Sequence, residues 1–140
     1  RFYEMEYSIP FSTLPEALGR VMRMVKDRGF RVSFPVEVRS VRGDDIPLST
    51  ATGRDSAYIA VHMYRGMEFE EYFRAVEEIM VDYHGRPHWG KLHFQDRKYL
   101  SGVYPEIQNF SELRDRLDPE GMFTNAYLNR VLGRQSGISD

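Results

Sequence analysis

The stretch Phe2-Tyr3-Glu4-Met5-Glu6-Tyr7-Ser8-Ile9 opens the chain with a strict alternation. Tyr3, Met5, Tyr7 and Ile9 fall on one side of an extended backbone, and Glu4, Glu6 and Ser8 on the other. A period of two with one apolar side reads as a half-buried strand, which Pro10 ends. Working outward, Ser12 or Thr13 can cap a helix that has Pro15 in its first turn and Glu16 near its positive end. Leu14, Leu18, Val21, Met22 and Val25 then recur at helical spacing, and Gly29 stops the run. Alternation returns over residues 31–41. Val32, Phe34, Val36 and Val38 face one way, and Ser33, Pro35, Glu37 and Arg39 the other. Pro35 cannot donate to a ladder, so this second strand belongs at an edge or carries a bulge.

Residues 43–56 are polar and rich in turn formers, a long connection of the kind that carries function. A third strand covers 57–65, with Ile59, Val61 and Met63 on its apolar side and Tyr58, Ala60, His62 and Tyr64 on the other. Glu68 to Tyr83 reads as a second amphipathic helix, with Phe69, Tyr72, Phe73, Val76, Ile79 and Met80 inward and Gly85 as C-cap. Residues 86–94 suit a short strand or an extended loop. The order strand, helix, strand, strand, helix, strand fits an α+β fold, a ferredoxin-like split βαβ sheet with both helices on one face. A helical extension follows. One helix or turn holds Leu100, another is marked by Phe110, Leu113 and Leu117 ahead of Asp118-Pro119, and a last runs from about Asn125 to Leu132. Residues 1–133 are expected to form one domain, with 134–140 a frayed tail.

Composition bounds the function. The 140 residues suffice for one domain, and 41% hydrophobic with 14% aromatic residues suffices for a core. Nineteen Lys and Arg are interleaved with twenty-one Asp and Glu for a net charge of −2, which argues against nucleic-acid binding. With no cysteine, disulfides, thiolate metal sites and cysteine nucleophiles are excluded. No apolar run approaches the ~18 residues of a membrane span. The chain starts Arg1-Phe2, with neither initiator Met nor signal peptide, and is expected to be a piece of a longer protein.

The side of the sheet away from the helices carries Glu4, Glu6, Glu37, Arg39, His62 and Tyr64. A carboxylate, a guanidinium and an imidazole on one open face can bind a hydroxylated or carbonyl ligand. The same pattern also suits a solvated face with cross-strand ion pairs. The spacing of His62, His84, His88 and His93 matches no strong zinc signature, and Asp44, Asp45 and Asp55 form no EF-hand, so no metal site is expected. Residues 85–93 hold the one Trp, two His and one of three Lys. Either Trp89 fills the core and the rest decorates a turn, or Lys91 or His88 points into a pocket that Gly90 lets a ligand approach.

His88-Trp89-Gly90-Lys91, followed by His93, resembles the His-Trp-x-Lys signature of the aldonolactone oxidases. These are the L-gulono-1,4-lactone and D-arabinono-1,4-lactone oxidase family, related to alditol oxidases among flavoproteins of the vanillyl-alcohol-oxidase type. Glu37-Val38-Arg39 resembles the family's Glu-x-Arg strand. Asp118-Pro119 with Met122 to Leu128 resembles its closing segment, and His62 falls on the strand where members place an active-site His. The resemblance runs from about residue 2 to 133. It implies the C-terminal substrate domain of an FAD-dependent oxidoreductase, with FAD held mainly by a further domain of the same parent chain and a sugar lactone or polyol as substrate. The fragment alone is then expected to be inactive. Glu37, Arg39, His62 and Lys91 are the implied catalytic residues, and Tyr64, His88, Trp89 and Asn125 the implied pocket. His62 or Lys91 would take the hydroxyl proton as hydride passes to flavin N5. Sugar-alcohol oxidisers are expected to carry Thr where Tyr64 stands, which favours a lactone over an alditol. Two alternatives remain open: an alditol or other alcohol oxidase domain, and a non-catalytic ferredoxin-like module. A cytoplasmic compartment is expected, with membrane association as the alternative. The isolated chain is expected to form homo-oligomers through its exposed face.

Overall fold

The computed structural model describes residues 1–133. The strand β1 (Phe2–Pro10) pairs along its whole length, antiparallel, with β3 (Ser56–Tyr64), from Phe2 opposite Tyr64 to Pro10 opposite Ser56. β3 carries β2 (Glu37–Val41) on its far side, and β4 (Arg86–Pro87) pairs with β1 at Tyr7 and Ser8. The order β2-β3-β1-β4 is that of a split βαβ sheet, with the two longest strands central. The helices α1 (Leu14–Asp27) and α2 (Glu70–Asp82) pack on one face. Met5, Tyr7 and Ile9 of β1 and Ile59, Val61 and Met63 of β3 meet Val21 of α1 and Tyr72, Phe73, Val76 and Met80 of α2 there. This is the burial that the alternation in β1 and the helical periods call for.

The chain then adds α3 (Arg97–Val103), α4 (Ile107–Leu117) and α5 (Ala126–Leu132), which bury a second cluster of Leu100, Tyr104, Ile107 and Val131. Half of the second sheet face is covered as well. Arg86 lies opposite Ser8 and donates from Nε to the Val103 carbonyl at 2.7 Å and from Nη1 to the Thr52 carbonyl at 2.7 Å. Ser8 Oγ donates to the Thr50 carbonyl at 2.8 Å, and the Tyr58 hydroxyl bonds Thr50 Oγ1 at 2.5 Å. The 44–52 connection and α3 thus close over the Ser8 end, and the Glu4 end stays open.

Several expectations are corrected. β1 is not half-buried but closed on both faces from Met5 to Ile9, because the connection, α3 and the turn after β4 cover its polar side. The second strand spans only Glu37–Val41, and residues 31–36 are irregular. Pairing with β3 begins at Glu37 opposite Ala60, and Pro35, which has no N–H to donate, stands just ahead of it. Thr13 precedes α1 but does not cap it with its side chain. Its Oγ1 donates to the Pro10 carbonyl at 2.8 Å, in a 3-10 turn over Phe11–Thr13. α2 ends at Tyr83 rather than Gly85, and His84 takes the left-handed φ of 51°. Gly85 answers crowding instead, since a Cβ there would sit 2.7 Å from the Met80 carbonyl oxygen. The helix expected around Phe110, Leu113 and Leu117 is present as α4, with these three side chains on its outside. The tail 134–140 lies outside the described residues. Among the described residues no helix is long and apolar enough to cross a membrane.

Candidate active site

Register brings the polar residues of three strands together. Glu4 lies opposite His62, Glu6 opposite Ala60, and Ala60 opposite Glu37 on its other side. Side chains at directly opposed positions share a face, so Glu4, Glu6, Glu37, Arg39, His62 and Tyr64 all project the same way. Lys91 reaches this face from the turn that follows β4. Main-chain bonds set that turn against β1: His88 N donates to the Glu6 carbonyl at 2.9 Å, and Leu92 N to the Glu4 carbonyl at 2.9 Å.

The side chains form one continuous chain of ion pairs. Arg39 Nε meets Glu37 Oε1 at 3.2 Å, and its Nη2 donates to Glu6 Oε1. Lys91 Nζ donates to Glu6 Oε2 and, at 2.5 Å, to Glu4 Oε1, which also lies 3.2 Å from His62 Nε2. Exposure is graded along it. The Glu6 side chain is fully buried, Lys91 and Glu4 are about one-fifth exposed (20% and 23%), and Arg39 and Glu37 are half exposed. Burial opposes charge on Glu4, but Lys91 and then His62 outweigh it and hold its carboxyl below the usual range. Burial likewise opposes charge on Lys91, and the bonds to Glu4 and Glu6 outweigh it and raise its proton affinity. Lys91 thus stands in this arrangement as a cation held between two carboxylates.

His62 is placed differently from the expectation of an open pocket residue. The Phe34 ring lies 4.8 Å from its own at 33°, and Phe2 meets it edge-on at 5.3 Å. Its Nδ1 is buried without a partner among the described residues. The Nε2–H therefore points at Glu4, and His62 reaches the open face through that carboxylate. Tyr64 stays half exposed beside Phe34.

The 88–93 turn divides its side chains between packing, turn shape and the ion-pair chain. Trp89 packs 4.8 Å from Tyr104 and donates from Nε1 to the Leu48 carbonyl at 2.9 Å. His88 Nδ1 accepts from Gly90 N at 3.0 Å and shapes the turn. Lys91 alone of these residues joins the ion-pair chain. The Tyr127 hydroxyl donates to the Trp89 carbonyl at 2.7 Å and lies 3.1 Å from His93 Nε2. That hydroxyl has one proton, so His93 carries its own on Nε2. Beside Lys91 opens a cleft of about 450 Å³ lined by Phe2, Glu4, Trp89, Gly90 and Tyr127. Asn125 is not part of it. Its side chain caps α5 by accepting from Leu128 N at 2.9 Å.

Glu4 and Glu6 were legible as polar-face residues but not as site residues. The available signal was two carboxylates on one side of a strand whose pattern placed it in the sheet core, facing Arg39 and His62. Tyr127 was visible only as part of the closing segment.

Residues 1–131 match the D-arabinono-1,4-lactone oxidase family. L-gulono-1,4-lactone dehydrogenase of Mycobacterium tuberculosis is 58% identical over 133 residues, covering 95% of this chain and 31% of the relative. L-gulonolactone oxidase of Bos taurus is 44% identical over 131 residues (90% of this chain, 30% of the relative), and alditol oxidase of a Streptomyces species is 33% identical over 132 (92% and 31%). The chain spans about a third of the length of these relatives.

Proposed function

Because the chain belongs to the D-arabinono-1,4-lactone oxidase family, we propose that it is the substrate-binding part of an FAD-dependent oxidoreductase that oxidises a C–OH of a sugar-derived 1,4-lactone. The observation that carries this reading is the ion-pair chain from Glu37 to His62 on the open half of the sheet face. Three carboxylates there outnumber two fixed cations, and each cation already has a carboxylate partner. Such a face favours a neutral ligand rich in oxygens over an anion. Lys91 and Arg39 donate to ring or hydroxyl oxygens, and Glu37 accepts from a hydroxyl. Glu4, whose oxygen borders the cleft, accepts a hydrogen bond from the reacting hydroxyl, with His62 Nε2 holding that carboxylate in place.

FAD, held mainly by a further domain of a longer chain, would supply the hydride acceptor. The donor set suits that group: Arg39 is half exposed and Lys91 borders an open cleft, so both can face a carbonyl-bearing ring edge and favour negative charge on it. The residues of this chain bind and orient the substrate.

The test is a substrate panel on the longer protein, followed anaerobically by loss of flavin absorbance. L-gulono-1,4-lactone and D-arabinono-1,4-lactone are expected to bleach the flavin far faster than xylitol or open-chain L-gulonate. Xylitol matching the lactones would replace this reading with an alditol oxidase. No bleaching by any of them, in protein that carries flavin, would leave a non-catalytic module.

A further inference from the structure

We propose that Glu6 is a positioning residue, the single carboxylate that locks the Lys91 ammonium and the Arg39 guanidinium into one rigid donor pair facing the substrate. The inference rests on the reading of the face as a lactone site. Glu6 divides its two oxygens, Oε1 to Arg39 and Oε2 to Lys91, and its side chain is fully buried. A buried carboxylate is costly to the fold unless it is paired, and an apolar residue of similar size would serve the fold as well. What Glu6 adds is a fixed spacing between two cations that would otherwise repel each other and swing on long, flexible stems. Across the ladder, Ala60 is small and offers no polar group to compete for either cation. The same residue also sets the main chain of the Lys91 turn, because its carbonyl accepts from His88 N at 2.9 Å. The central strand thus holds the lysine from both ends, backbone and ammonium.

Glu4 and Glu37 differ from Glu6 in a way that matters. Each pairs with one of the two cations, and each is open to solvent in part. They can exchange a cation for a substrate hydroxyl, and Glu6 cannot. The groups facing Lys91 are Glu4 and Glu6, with His62 and Arg39 one step further along the chain.

Two experiments test the proposal. The first uses the 140-residue chain with 15N-labelled lysine, where three ammonium signals are expected, from Lys26, Lys91 and Lys98. The Lys91 protons should exchange slowly enough to be seen near neutral pH while those of Lys26 and Lys98 are not, and in Glu6→Gln the Lys91 signal should move or vanish. A wild-type Lys91 that behaves like the other two would overturn the proposal without any variant. The second uses the longer enzyme. Glu6→Gln should slow flavin reduction by a lactone about 10- to 100-fold, and by less than about threefold when Lys91 is already Met, since with one member of the donor pair gone there is no spacing between two cations left to fix. An unchanged rate, or an equal loss in both backgrounds, would overturn it. If wild-type enzyme reduces no flavin with any lactone, the proposed function fails, and the lysine signals still decide the role of Glu6.

Discussion

Lys91 joins chemistry to stability in one side chain, which changes what its removal should do. Lys91→Met keeps much of the stem's apolar bulk, so the sequence suggests a variant that folds as before. The structure adds that the fully buried Glu6 would keep only Arg39 as partner. We expect a loss of about 1–3 kcal/mol in stability from a buried carboxylate left with one oxygen unpaired. We also expect a fall of roughly 10²–10³ in the rate of flavin reduction in the longer enzyme, the usual effect of losing one donor at a reacting centre. Lys98→Met is the control, since Lys98 is exposed on α3 and should change neither quantity. Thermal melts and anaerobic stopped-flow read the two effects separately. Wild-type reduction rates in Lys91→Met would remove the lysine from the chemistry, whatever the melts show.

Among the elements, β4 is the shortest and ties the most together. Two residues long, it anchors the turn that carries Lys91 and sends Arg86 beneath α3. The Arg86 guanidinium donates to the carbonyls of Val103 and Thr52 and lies 5.5 Å from the Tyr104 ring, while the Tyr104 hydroxyl donates back to the Pro87 carbonyl at 2.9 Å. Arg86→Met would leave those carbonyls without their donor inside the fold. The expected cost is about 2–4 kcal/mol, read by urea unfolding, with faster amide exchange in α3 than in α2. Equal protection of the two helices in the variant would contradict this bracing role.

For the molecule as a whole, the groups with shifted pKa values define how stability depends on pH. His93 is buried, and burial, with Arg130 adding to it, lowers its pKa from 6.5 to about 4. The unfolded chain therefore binds this proton from pH 6.5 downward and the folded chain only near pH 4, so stability falls as pH drops through that window. The full effect is about 3 kcal/mol. Glu4 acts lower still. Its folded pKa lies below 4.5, so its contribution is complete above that value and is lost as pH falls through the folded one. On the alkaline side Lys91 contributes fully below 10.5 and loses its share as pH rises through its raised folded value. Burial holds the Tyr72 phenol neutral until about 12, so above pH 10 ionisation favours the unfolded chain. Urea unfolding between pH 7 and 4 should show a steep loss in wild type and a shallower one in His93→Leu. The same slope in both would remove His93 as the cause.

Much of the architecture could be read along the chain because it rests on local repetition. The period of two in 2–9 and 57–65 and the helical period in 14–25 and 69–80 follow from which side of each element must leave water. They point to the split βαβ order that β2-β3-β1-β4 realises. The shared face of Glu37, Arg39 and His62 follows from the same alternation, and the His88–Lys91 motif marked the turn. Other features depend on contacts far apart in sequence. That Lys91 meets Glu4 and Glu6, 87 and 85 residues away, depends on β4 lying beside β1 and on two main-chain bonds that set the turn. That His62 is covered by Phe34, and that half of the polar face is closed by the 44–52 connection, depends on how irregular segments pack. Such segments have no period to read. Alternation says which way a side chain points, and only the folded chain decides what it meets there.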